Sequence, residues 1–162
     1  METSTTLIGL FLILLTALPI FLLLRTQHKN KSKIETVLKQ FNQGNSKEFN
    51  LRESLNNKII AFNEMKKKLV LIDLNVKPEI VTYVDLNEIS NSKIIREMEH
   101  FDGSKSTKEF ITKVEILLHN KKNQQDETLK FYDYEYEKPI QLNYFRDNQL
   151  AEKWLEIINK TI

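Results

Sequence analysis

Cysteine is missing from all 162 residues. A lipid-modified cysteine behind an apolar leader is therefore ruled out, and the ligand sets open to zinc narrow sharply. The same lack agrees with a domain that faces a reducing cytoplasm. Glycine and proline number three each. Gly9, Gly44 and Gly103 stand far apart, so no glycine-rich phosphate loop can form. The three histidines, His28, His100 and His119, are scattered and give no metal-ligand spacing. Ser54, Ser90 and Ser104 have neither a neighbouring base nor the strained elbow that a serine nucleophile needs. Lys, Asn and Ile are plentiful while Gly, Ala and Pro are scarce, a bias we read as that of an AT-rich bacterial genome. The net charge is only +2 and the pI near 8.6. Most of that basic surplus falls in residues 25–40, which leaves the remainder close to neutral or slightly acidic. A nucleic-acid binder would concentrate Lys and Arg on its folded part, so no nucleic-acid partner is expected.

What the chain does have is an apolar run from Leu7 to Leu24, interrupted only by Gly9, Thr16, Ala17 and Pro19. As a helix it would span roughly 27 Å, close to a bilayer's hydrocarbon thickness. A cleavable signal wants a positive leader and a small-x-small site. Residues 1–6 contain Glu2 and no Lys or Arg, and Thr16-Ala17-Leu18 is a poor match. The expectation is an uncleaved single-pass transmembrane helix over 7–27, after a short tail over 1–6. Arg25, His28, Lys29, Lys31 and Lys33 follow the run, against Glu35 alone. Basic flanks stay on the cytoplasmic side, which predicts an inner-membrane protein with its amino terminus outside and its domain inside. Arg25, Lys29, Lys31 and Lys33 would meet anionic lipid, as a stop-transfer flank in preference to a specific headgroup site. Residues 28–47 read as a basic tether with a short amphipathic helix, in which Ile34, Val37, Leu38 and Phe41 share one face. Gln43-Gly44-Asn45-Ser46 breaks it.

From residue 48 the apolar period changes from helical to two. Phe49 and Leu51 start a weak strand, and Lys58–Phe62 is a stronger one. Leu69-Val70-Leu71-Ile72 is apolar on both faces, as a central strand would be. Glu79–Leu86 alternates, Asn87–Asn91 reads as a short break before Lys93–Met98, and 101–106 is a loop by composition. Phe110, Thr112, Val114, Ile116 and Leu118 occupy one face of a long strand. Thr128–Tyr136 is rich in β-formers. Asp147 or Asn148 can cap a terminal helix in which Leu150, Ala151, Trp154, Leu155, Ile158 and Ile162 form one apolar stripe. These segments predict a mainly β, α+β fold over 48–162: about six or seven antiparallel strands in a small barrel or sandwich, closed by a C-terminal amphipathic helix. Trp154 belongs to its core. Asp126-Glu127 with Lys130, and Glu135 to Lys138, imitate a carboxylate-x-Lys nuclease element, but a solvated charged turn is the favoured reading. Tyr132, Tyr134 and Tyr136 are read as a cross-strand packing ladder.

The terminal Ala151-Glu152-Lys153-Trp154-Leu155 with Ile157-Ile158-Asn159 resembles the closing helix of a bacterial pleckstrin-homology-like (PH-like) domain. Ile59-Ile60-Ala61-Phe62-Asn63-Glu64, Lys68-Leu69-Val70-Leu71-Ile72 and Tyr83-Val84-Asp85-Leu86 are similar to segments of small membrane-anchored proteins built this way. Phosphoinositide-binding members carry interspersed Lys and Arg on the first hairpin; here Lys66, Lys67 and Lys68 occupy that turn without the Arg-containing pattern. Because the residues offer no chemical motif, the expectation is a non-enzymatic interaction or scaffolding module at the cytoplasmic membrane face, with no catalytic, cofactor-binding or metal-binding residue. Its partners would be the lipid bilayer and a protein. The alternatives are an accessory subunit of a membrane enzyme or transporter complex, or an extracytoplasmic domain on an uncleaved signal anchor.

Overall fold

The computed structural model describes the backbone of residues 2–41, 44–103, 106–136 and 141–162, and their side chains except at 2–10, 12, 14, 23, 26–29, 100–103, 106–109 and 141–143. The chain divides into two compact units, Met1–Ser46 and Lys47–Ile162.

The first unit is built on one helix, α1 (Glu2–Phe41), 40 residues long with Pro19 inside it. The basic stretch expected as a tether therefore continues the same helix. It closes where Gly44, at φ 88°, donates its N–H to Lys39 O at 2.9 Å, a six-to-one bond of the kind that ends helices. The expectation of a transmembrane span over 7–27 is corrected by the structure. Among the described residues no helix is long and apolar enough to cross a membrane. Leu7–Leu10, Leu12, Leu14 and Leu23 have side chains outside the described set, and the longest uninterrupted described part of the run is 15–22. The single-pass inner-membrane location falls with the span. Phe11, Ile13, Leu15, Leu18, Ile20, Phe21, Leu22 and Leu24 are exposed on α1.

The second unit is an antiparallel β structure with one helix. A meander of β1 (Leu51–Leu55), β2 (Lys58–Asn63), β3 (Lys68–Asp73) and β4 (Ile80–Asp85) forms a four-stranded sheet in that order. A second meander of β5 (Ile89–Gly103), β6 (Ser106–Asn120) and β7 (Asp126–Asp133) forms a three-stranded sheet. The chain ends in α2 (Gln141–Thr161). The turns follow from local chemistry. Asn56 and Asn57, at φ 49° and 61°, supply the two left-handed residues of a tight two-residue hairpin between β1 and β2. Lys67, at φ 54°, closes the β2–β3 turn. A 3-10 turn over Leu86–Glu88, capped by Asp85 accepting from Asn87 N at 3.1 Å, carries the chain from one sheet to the other.

That turn is also why the predicted barrel closure is corrected. Within the described pairings β4 bonds only to β3 and β5 only to β6, so the strands form two separate sheets rather than one closed barrel. The break expected at 87–91 is shorter than the sequence indicated. Phe101–Gly103, expected as loop, continue β5, with residues 104 and 105 outside the described residues.

Both sheets turn apolar residues toward a common core. Ile60, Phe62, Leu69, Leu71 and Val84 come from the first, and Val114, Ile116, Leu118, Leu129 and Phe131 from the second. Leu150, Ala151, Trp154 and Ile158 of α2 complete it. β2 is buried at every position, which explains why its sequence runs apolar instead of alternating. Replacing the fully buried Trp154 removes the largest side chain from the junction of helix and sheets. Trp154→Ala should lower unfolding stability by about 3–5 kcal/mol, read from urea unfolding followed by tyrosine fluorescence and far-UV circular dichroism.

Candidate functional site

Three places in the second unit gather polar side chains, and each is set by a turn or by one face of α2. The first is a buried hub. Lys58 opens β2 directly after the Asn56-Asn57 turn, and its Nζ lies 3.7 Å from Asp147 Oδ2. Lys58 is 2% exposed and Asp147 is 0% exposed. Asn56 Nδ2 donates to Asp147 Oδ1 at 3.2 Å, while Asn75 Nδ2 donates to Asn56 O at 2.8 Å. Asn57 Nδ2 donates in turn to Asn75 Oδ1 at 3.3 Å. Two turns and the helix are thus joined through one carboxylate. A cavity of about 20 Å³ adjoins Lys58, bordered by Asp73, Thr82, Lys130 and Tyr132. Such a space holds about one water molecule and no organic substrate, so the Lys58 amine has no room to attack a carbonyl.

The second place is a shallow dish of about 170 Å³ on the outer face of the three-stranded sheet. There His119 Nδ1 lies 2.9 Å from Asp126 Oδ1. Asn91 pairs with His119 and Lys93 with Leu117, which puts these side chains on one face. Ser92, between them, points to the other face, where its Oγ donates to Asn159 Oδ1 at 2.6 Å. Strand alternation therefore separates Ser92 from the histidine–carboxylate pair, and no serine relay is assembled. Among the described residues no group of three or more His, Asp or Glu could hold a metal ion.

The third place is a trough of about 280 Å³ between β1 and α2, lined by Glu53, Leu55, Arg146, Gln149, Leu150 and Lys153. Glu53 crosses it, accepting from Lys153 Nζ at 2.7 Å and from Trp154 Nε1 at 3.2 Å. Arg146 is exposed on the rim and forms no salt bridge with a described residue. Open and bordered by Arg146 and Lys153 beside β1, this trough is the largest of the three.

The residues singled out in the sequence are not brought together. Arg25, Lys31 and Lys33 lie exposed along α1, and Lys29, on the same helix, has its side chain outside the described residues. Lys66, Lys67 and Lys68 are each engaged: Lys66 with Glu48 at 2.7 Å, Lys67 with Thr161 O at the end of α2 at 2.5 Å, and Lys68 with Asp85. Asp126, Glu127 and Lys130 belong to β7, where Lys130 lies 3.9 Å from Glu115 and 3.7 Å from Asp133. Glu137 and Lys138 lie outside the described residues. Of the three tyrosines only Tyr132 is buried, edge-on to Tyr144 with ring centroids 5.7 Å apart. Tyr134 tilts against Phe110 and is exposed, as is Tyr136. Asp147 is no cap, because α2 already begins at Gln141. The signal that could have found it is its register: 147, 150, 151, 154 and 158 make one stripe, so an aspartate there needs a buried cation.

Removing one partner of a buried ion pair strands the other, so Asp147→Leu or Lys58→Met alone should cost about 3–5 kcal/mol, whereas the double variant recovers most of it. Urea unfolding of the four proteins checks this coupling. Burial opposes the charge on Lys68, but its hydrogen bonds to Asp85 and Tyr83 outweigh that and raise its pKa above the ordinary 10.5. Burial likewise opposes the Asp85 carboxylate, and hydrogen bonds from Lys68 and Asn87 outweigh it, which lowers its pKa below the ordinary 3.8. A lowered carboxyl stabilises above its unfolded pKa and stops doing so as pH falls through the folded value; a raised amine stabilises below its unfolded pKa until pH rises through the folded one. The stability difference between the parent and Asp85→Asn should thus stay constant across neutral pH and shrink below pH 3.8 and above pH 10.5, in denaturant titrations run over that range. Compared with family models, curated proteins and solved structures, the chain shows no match.

Proposed function

We propose that Lys47–Ile162 is a PH-like interaction domain that binds a protein partner and carries out no catalysis of its own. The element order supports this reading: antiparallel strands are followed by one closing helix, as in the resemblance. The observation that carries it is the trough beside β1, where an edge strand, an apolar floor and a cationic rim come together with no nucleophile beside a base. That combination recognises a chain by main-chain pairing and charge, as interaction domains do. Function resides in such a site and not in the fold alone.

A photo-crosslinking amino acid placed singly at exposed positions of this unit in the full-length protein, expressed in its own cell, tests the reading. Adducts with one discrete protein, clustered on one part of the surface, are the expected result. An accessory-subunit role would appear as an adduct with an enzyme or transporter component. Absence of any adduct across all positions would overturn the proposal.

A further inference from the structure

Resting on that reading, the geometry points to the partner's chemistry: an extended acidic segment that adds to β1 as a fifth strand and lowers alternate side chains into the trough against α2. β1 stands at the edge of its sheet, with β2 as its sole strand neighbour among the described pairings. The two-residue Asn56-Asn57 turn makes Leu55 and Lys58 a hydrogen-bonded pair. Alternation then assigns Glu53–Ile60 and Leu51–Phe62 to the same class. The main-chain N–H and C=O of Ser54 are therefore directed away from β2, into the position a further strand would occupy. The other edges are differently placed. β5 is tied to α2 by Arg96, whose Nη2 lies 2.6 Å from Glu152 Oε1, and by the Ser92–Asn159 bond. β4 and β7 together border the small cavity at Lys58.

Charge fixes the kind of chain. Leu51, Glu53 and Leu55 point inward, and Arg52 and Ser54 point outward and are exposed. Around the trough stand Arg146 and Lys153, against the single carboxylate of Glu53, which already pairs with Lys153 and accepts from Trp154, so Arg146 is the cation left to meet an incoming carboxylate. An incoming side chain above Arg146 is favoured as Asp or Glu, and one above Leu55 and Leu150 as apolar. Five residues of β1 offer about 17 Å of strand, enough for a short segment of alternating acidic and β-branched residues. A basic segment would meet like charge on the rim and be rejected.

The test uses the full-length protein and two fluorescent, end-blocked octapeptides, one alternating Glu with Val and one alternating Lys with Val, followed by fluorescence polarisation. The Glu–Val peptide should bind saturably, more weakly as salt rises, and the Lys–Val peptide should not. Ser54→Pro removes an outward N–H and no bond to β2, so it should leave the fold intact while weakening binding at least tenfold. Arg146→Glu, on the exposed rim, should weaken the Glu–Val peptide to a similar degree. Equal binding of both peptides, no binding of either, or full affinity in a folded Ser54→Pro variant would each overturn the inference. Crosslinkers at Arg52, Ser54, Arg146 and Gln149 separate the two levels of the argument. Adducts there support the strand-addition site, whereas adducts found only elsewhere on the unit sink it and leave the interaction reading standing.

Discussion

Neither sheet of the second unit can bury its inner face alone. A four-stranded meander and a three-stranded meander each expose one apolar surface, and the 3-10 turn at Leu86–Glu88 that joins them contributes only Leu86 to the core. The constraint is met by α2, whose Leu150, Ala151, Trp154 and Ile158 enter the core that both sheets share. Because Trp154 is wholly buried, a single helix rotation would lose contact with both sheets at once. The stripe thus couples two otherwise separate pairs of local decisions, strand register and helix face, into one cooperative structure.

Apolar packing by itself does not fix which way such a helix is turned, and the polar contacts along α2 supply that. Asp147 faces Lys58 near its start, Glu152 meets Arg96, Trp154 Nε1 reaches Glu53, Asn159 accepts from Ser92, and Thr161 O accepts from Lys67. The last places a cation at the negative end of the helix dipole. Of these, the Lys58–Asp147 pair is the one withdrawn from water. Burying two charges is expensive, and the mutual attraction approximately repays it. Its effect is specificity: a carboxylate at 147 tolerates only the rotation that brings it to Lys58.

Local periodicity made part of this visible in the sequence. Lys58–Phe62 and the Leu69–Ile72 run correspond to β2 and β3, and the spacing of Leu150, Ala151, Trp154 and Ile158 to the buried face of α2. These signals are legible because each needs only neighbours within a turn or a pleat. Closure is not of that kind. Whether β1, β4, β5 and β7 pair depends on residues far apart in sequence, and a barrel and a two-sheet sandwich share the same alternation. The reach of β5 through Phe101–Gly103 was hidden for another reason: a loop-like composition is overridden when a partner strand supplies the register. The hub at Lys58 is hidden because an aspartate near a helix start has the look of a cap, although the place of Asp147 on the apolar stripe sets it apart. The trough is invisible in the sequence, since Glu53 and Arg146 line one space only once the helix has docked.

An edge strand beside such a helix is a physical compromise. A free row of main-chain donors and acceptors invites indiscriminate pairing, which proteins restrain with short edges and charge. β1 shows both restraints, being five residues long and carrying Arg52 outward. The charge that discourages a basic strand favours an acidic one, because Arg146 of α2 stands on the rim of the trough that its side chains would enter. Glu53 offsets Lys153 alone: it pairs with that ammonium at 2.7 Å and accepts from Trp154, which turns it toward the helix. One of the interactions that orient α2 on the sheets therefore also engages the trough's single carboxylate, which leaves the Arg146 guanidinium on the rim to meet an incoming acidic side chain.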